Sequence, residues 1–241
     1  MGMRALTLVV LLFCGLRSSA QFELGASLGA FDSRIEGRSS EGHARAYLFA
    51  YGGPFPTAAI HYRERRGSHA SMGFEMAWVR REFQAEYSNG GLGSQSGKDM
   101  DVRLDLLYFG ILPEVRMGAR STAVVRFGLQ GGFLIDSRMR GRQWSVGGLP
   151  ATSLYDEWYE GSANADFGGD VRAIFGFGFQ LPMNERCIMV FDPYFSGSIT
   201  SLLKQEPGSR GVDFGIRIGL ARAFSTNCLT VLLEKDRAER Q

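Results

Sequence analysis

Three histidines, His43, His61 and His69, are the side chains in this 241-residue chain best suited to move a proton near neutral pH. With Glu64 and Ser71 close in sequence, His61 or His69 makes a base, an orienting acid and a nucleophile for hydrolysis of a lipid ester. All of them flank one expected turn, at 65–68, and nothing in their spacing fixes a mutual geometry. No Cys or carboxylate stands at metal-ligand spacing from the histidines. The segment GGLGSQSGK at 90–98 fails as a phosphate cradle, because Leu92 occupies the place of the first glycine and Asp99 follows Lys98 where a hydroxyl is needed. The sequence therefore predicts no catalytic residue, no metal ligand and no cofactor.

Recognition is a better prospect than catalysis. Trp144, Tyr155, Trp158 and Tyr159 fall in the longest expected loop, 139–166, beside Asp156, Glu157 and Glu160. Aromatic side chains presented on a loop can anchor a protein or glycan partner. They can equally pack at a rim or in an interfacial girdle.

The elements that must position these residues are strands. Arg4, the apolar stretch Ala5–Leu16 and the small residues Ser18-Ser19-Ala20 read as a signal peptide over 1–20, with the mature chain starting at Gln21. Twelve apolar residues are too few for a helix to cross a bilayer, which takes about 20. Phe13 before Cys14 is a poor fit to a lipoprotein signal. Without Arg4 and Arg17 the chain carries 25 basic and 25 acidic residues, scattered, which excludes the clustered basic face of a nucleic-acid binder.

Beyond the signal, apolar residues recur with period two. Val125, Phe127, Leu129, Phe133 and Ile135 oppose Arg126, Gln130 and Asp136; Val171 to Leu181 and Val212 to Leu220 repeat the pattern. With further runs at 22–33, 46–64, 69–87, 100–117 and 187–203, eight strands are predicted. Gly52-Gly53-Pro54-Phe55-Pro56 interrupts the second. In the fourth, apolar parity passes from Val102, Leu104 and Leu106 to Ile111, Val115 and Met117, and a bulge near Gly110 would accommodate that shift. Short turns at 65–68, 118–121 and 182–186 alternate with long loops at 34–44, 88–99 and 139–166, the asymmetry of an outer-membrane barrel with both ends in the periplasm. Phe175, Phe177 and Phe179 on one face would crowd a lumen, so that face is expected to meet lipid, with Glu23, Glu75, Arg126, Asp136, Arg172, Asp213 and Arg217 inside. Eight strands leave an interior filled by side chains, which argues against a diffusion pore.

This reading is an all-β, eight-stranded, antiparallel up-and-down transmembrane barrel over 21–224, followed by a periplasmic tail over 225–241. The segments LYFGILPEVRMG and VVRFGLQGGFLI, with the ending GIRIGLARAF, resemble the small outer-membrane β-barrel family of Bacteroidota that includes PorT-like proteins. That resemblance implies fold and an outer-membrane location, and little about activity. Phe224 resembles the terminal aromatic read by the barrel-insertion machinery, although a tail of 17 residues follows it. The expected partners are outer-membrane lipid, that machinery during assembly, and an unknown protein or glycan. The expected role is a non-enzymatic scaffold, surface-interaction protein or envelope-machinery accessory. The alternatives are a lipid-modifying enzyme and a soluble secreted barrel holding an apolar ligand. Cys187 and Cys228, both placed at the periplasmic end, are close enough in this topology for a disulfide.

Overall fold

A computed structural model describes residues 22–41, 44–50, 54–66, 69–91, 94–118, 122–147, 153–162, 169–184, 186–201 and 210–224. The expected signal peptide at 1–20, His43, the tail at 225–241 and Cys228 lie outside the described residues. No helix among those residues is long and apolar enough to cross a membrane.

Alternating sequence yields ten strands: β1 (Phe22–Glu41), β2 (Ala44–Ala50), β3 (Phe55–Arg66), β4 (Ala70–Gly91), β5 (Ser94–Met117), β6 (Thr122–Gly147), β7 (Ser153–Gly161), β8 (Asp170–Pro182), β9 (Cys187–Ser198) and β10 (Arg210–Phe224). All pair antiparallel, and β1 pairs with β10 from Phe22↔Phe224 to Glu36↔Arg210, so the sheet closes on itself. The interrupted second run becomes β2 and β3, both lying between β1 and β4. In the same way β7 and β8 both pair with β6. Counting each of these couples as one stave gives the eight-stranded barrel. Phe22 stacks on Phe224 with ring centroids 5.0 Å apart, sealing the seam at the end where both described termini lie.

Two expectations change. The long loops at 34–44, 88–99 and 139–166 are largely strand: β4, β5 and β6 run 22, 24 and 26 residues. At about 3.4 Å per residue, β5 is about 80 Å long, whereas β8 and β9 stop after 13 and 12 residues. A sheet of β1, β2, β4, β5, β6 and β7 therefore rises beyond the closed wall. Hairpins with strand-forming residues on both arms simply continue the ladder, since an unpaired polar backbone would gain nothing by leaving it.

The second change concerns the bulge. The backbone of β5 keeps one parity from end to end, with Met100, Val102, Leu104, Leu106, Tyr108, Leu112, Glu114 and Arg116 all buried. The register instead shifts in β6, where Asp105 pairs with Asp136 but Leu106 with Leu134, leaving Ile135 without an opposite residue. That extra residue turns Asp136 to the outside, against the expectation that it faces in.

What inverts along β5 is the character of each face. Leu107, Phe109, Ile111, Val115 and Met117 point outward in the lower part, where the lumen holds Glu114 and Arg116. Higher up, Asp99, Asp101 and Arg103 point outward, and Met100, Val102 and Leu104 fill the inside. In β4, outward Phe74, Met76 and Trp78 give way to Arg80, Glu82, Gln84 and Glu86, while Phe83 and Ala85 face inward; β1 passes from outward Leu24 and Leu28 to Asp32 and Arg34. An apolar belt thus circles the outer face of the lower barrel and ends at one level. Trp78 marks its upper rim, with the Arg80 guanidinium 5.2 Å from the ring centre.

Candidate functional site

Inside the belt the lumen carries six buried arginines, Arg63, Arg81, Arg116, Arg126, Arg172 and Arg217, and six buried carboxylates, Glu23, Glu75, Glu114, Asp170, Asp192 and Asp213. Equal numbers make the interior formally neutral, and the contacts sort into three tiers. At the end nearest the termini, Arg116 donates to both oxygens of Glu23 at 3.1 and 3.2 Å, and Arg63 Nε donates to Glu114 at 2.9 Å. In the middle, Glu75 accepts from Gln130 at 2.9 Å and from Arg217 at 2.7 Å, while Asp192 is paired with Arg217 and Arg126. In the upper tier Asp213 accepts from Ser33 at 2.7 Å, from Arg81 at 2.5 Å and from Arg172, and Tyr108 donates to Asp170. Each tier joins staves on opposite sides of the lumen, so the charges brace the wall from within.

Phe31, Leu104 and Leu106 pack around the upper tier, and Phe83 and Met100 close the interior above it. Between upper and middle tiers lies a cavity of about 20 Å³, lined among others by Arg81, Tyr108, Gln130 and Asp213. That is room for about one water. Purified protein in a planar bilayer is accordingly expected to show no stable open conductance, and reproducible large unitary currents would contradict a filled lumen.

The residues cast for hydrolysis are not brought together. His61 faces the lumen over Gly25, where a Cβ would sit 2.3 Å from its Nε2. His69 is exposed in a turn, where its carbonyl accepts from the Arg116 backbone N–H at 2.7 Å. Ser71 is buried, donating to Glu114 at 3.1 Å and accepting from Arg116 at 3.3 Å. Glu64 lies on the outward parity of β3. Among the described residues no cluster of three or more His, Cys, Asp or Glu has the arrangement of a metal site.

The aromatic set is brought together, though on a hairpin rather than a loop. Trp144 belongs to β6 and Tyr155, Trp158 and Tyr159 to β7, with Ser145↔Tyr155, Arg142↔Trp158 and Gly141↔Tyr159 in register. Trp144 lies across Gly97, whose missing side chain makes room for the ring. Tyr159 receives the Lys98 ammonium 5.8 Å from its ring centre. Trp158 is left 67% exposed. Arg142 Nε donates to Asp156 at 3.2 Å, and this hydrogen bond holds the Asp156 carboxyl below the usual carboxylate range. Sequence alternation missed Arg138, Arg140 and Arg142 as companions of this set. The signal was present in their own period-two spacing, which continues β6 past the belt.

Cys187 opens β9 opposite Arg222 and is half-buried. Its proposed bond to Cys228 falls outside the described residues.

No protein-family model matches the chain, and no curated protein matches it. Solved structures do. OprG from Pseudomonas aeruginosa aligns at 9% identity over 86% of this chain and 97% of its own, with a TM-score of 0.48. Ail, the attachment invasion locus protein of Yersinia pestis, aligns at 13% identity over 84% and 98%, with a TM-score of 0.40. The protease OmpT from Escherichia coli aligns at 7% identity over 85% and 97%, with a TM-score of 0.37. Two of the three, OprG and OmpT, are outer-membrane proteins by name, and at these scores none of them carries an argument about what this chain does.

Proposed function

We propose that the chain is an integral outer-membrane barrel with a closed lumen, and that its working surface is the sheet rising above the belt. The observation that carries this reading is the inversion of faces in β1, β4 and β5 at one level. Below it, apolar side chains such as Leu28, Phe109, Phe133 and Phe175 point outward while charge is held inside. Above it, the outside is charged and the inside apolar. Only a lipid layer around the lower part and water around the upper part make both arrangements favourable in one unbroken strand.

In this role the protein is non-enzymatic: a scaffold, a surface-interaction protein or an accessory of a larger envelope machine. The last possibility leans on the resemblance to PorT-like barrels of Bacteroidota. The lipid-hydrolase alternative loses the residues it was built on, because His61 and Ser71 are committed to the lumen. A soluble barrel with an apolar ligand would want its large apolar face inside, where this chain has arginines.

The test is fractionation combined with gel mobility. The protein should follow the outer membrane and run differently boiled and unboiled, as a closed barrel resists detergent until heated. Recovery in the soluble periplasm would overturn the proposal.

A further inference from the structure

The outer face of β5, β6 and β7 above the belt carries aromatic and charged side chains in rows. Asp99, Arg142 and Trp158 stand side by side across the three strands, and Asp101, Arg140 and Glu160 do the same one row nearer the belt. One row further up, Trp144 is opposite Asp156, so two indoles and the Arg142–Asp156 pair occupy alternate corners of one square. Below Trp158 the wall opens into a groove of about 330 Å³, lined on its polar side by Glu82, Asp101, Arg103, Arg138, Arg140 and Glu160. From this arrangement we infer that the face binds an uncharged glycan, with one sugar ring stacked on Trp158 and the chain running down into the groove.

The inference rests on the surface-interaction reading and names the partner's chemistry. A pyranose has apolar C–H faces and a rim of hydroxyls. The face of an indole carries partial negative charge and attracts electropositive C–H groups. Trp158 offers such a face, 67% exposed, on the same side of the hairpin as the groove. Each hydroxyl both donates and accepts, so it is best met by acceptors and donors side by side. In the row of Asp101, Arg140 and Glu160 a guanidinium stands between two carboxylates, at the strand spacing of about 4.8 Å. Planar forks of this kind can engage two neighbouring hydroxyls at once. Two of the forks are already held in place, which lowers the ordering cost of binding: Arg103 donates to Asp105 at 3.1 Å, and Arg142 Nε donates to Asp156 at 3.2 Å.

Charge and level narrow the occupant further. Three guanidiniums against three carboxylates leave the groove formally neutral, without the positive excess that would select a sulfated or phosphorylated chain. Its volume falls at the lower end of small-ligand clefts, which run from about 300 to 1,000 Å³. The stacking platform also stands clear of lipid headgroups. Arg142, opposite Trp158, follows Ile135 at the top of the belt by seven residues, about 24 Å along the strand. The headgroup layer is only about 5–8 Å deep on each side. The glycan therefore reaches Trp158 from the aqueous side.

The test places the full-length protein, in detergent micelles, on an array of uncharged oligosaccharides of hexoses and N-acetylhexosamines, with sulfated glycosaminoglycan fragments beside them. Retention on at least one uncharged chain is expected, and raising the salt to about 0.5 M should leave it unchanged, since the contacts neutralise no net charge. For that chain Trp158→Ala should weaken binding about tenfold, the worth of one aromatic contact with its buried area. Arg140→Ala and Glu160→Ala should each weaken it too, whereas Gln143→Ala, on the opposite face of β6, should not. Retention on sulfated fragments alone, binding that salt abolishes, competition by vesicles of anionic phospholipid, full affinity in Trp158→Ala, or retention on no uncharged chain would each overturn the inference. Heat-modifiable mobility, measured on every sample, separates these outcomes from failure of the membrane reading, which would show as loss of that property.

Discussion

Replacing Asp213 by alanine should destabilise the barrel by about 3–5 kcal/mol in urea unfolding from detergent micelles, the cost of breaking a buried ion pair from one side. Asp213 on β10 accepts from Arg81 on β4 and Arg172 on β8, and it also takes hydrogen bonds from Ser33 on β1 and Ser196 on β9. Five staves meet at this carboxylate. Without it two guanidiniums, each about 1% exposed, keep as counter-charge among the described residues the more distant Asp170, at 3.8 Å from Arg81 and 3.5 Å from Arg172, which also donates to the Gly211 carbonyl at 2.7 Å. Asp213→Asn retains one acceptor oxygen and the shape, so it should cost less than Asp213→Ala. Adding Arg81→Met to Asp213→Ala should recover part of the loss, since the uncompensated charge is then removed as well. A loss below about 1 kcal/mol for Asp213→Ala, the net worth of one ordinary hydrogen bond, would mean that water reaches the tier and the lumen is not dry.

The second large effect lies on the opposite face of the wall. Phe177→Arg should cost about 2–4 kcal/mol, the penalty for a guanidinium on the lipid side near the bilayer midplane. Phe177 sits midway along the outward row Val171–Leu181 and pairs with Val125 of β6. Ile135→Arg, at the upper end of the belt beside Asp136, should cost about 0–1 kcal/mol by the same depth dependence. The contrast separates solvents. Around a soluble barrel, exchanging the exposed ring of Phe177 for a charge should leave stability within about 0.5 kcal/mol, as surface substitutions do. Equal and small effects at both positions, measured in detergent and in lipid vesicles, would remove the membrane reading.

These two experiments probe features that the sequence shows unequally. Arg126, Arg172, Asp213 and Arg217 are legible as inward because each alternates with large apolar residues in an unbroken run. Arg63 and Arg116 are less so, since Tyr62 and Glu64 flank one, and the run around the other shifts apolar parity. The tiers themselves are not readable at all. Glu23 and Arg116 are separated by most of two hairpins, and only the closure and stagger of the barrel bring them within hydrogen-bond distance.

The aromatic hairpin divides in the same way. Trp144, Tyr155, Trp158 and Tyr159 stand out in the sequence as aromatics in a polar stretch. Their placement on a hairpin above the closed wall depends on where β8 and β9 end relative to β6, which no local pattern encodes.

The sequence by itself determined the period of the strands, their even number, the broken second stave and, in β8, β10 and the lower part of β6, which face is apolar and outward, because alternation and turn residues are local properties. Tertiary structure decided where the medium changes. The shift of apolar parity in β5 is physically a bulge or a change of surroundings, and the two leave the same trace in one dimension. Only the pairing of Asp105 and Leu106 with Asp136 and Leu134 moves the bulge to β6, and shows that β5 stays straight while its apolar side chains pass from the outer face to the inner one.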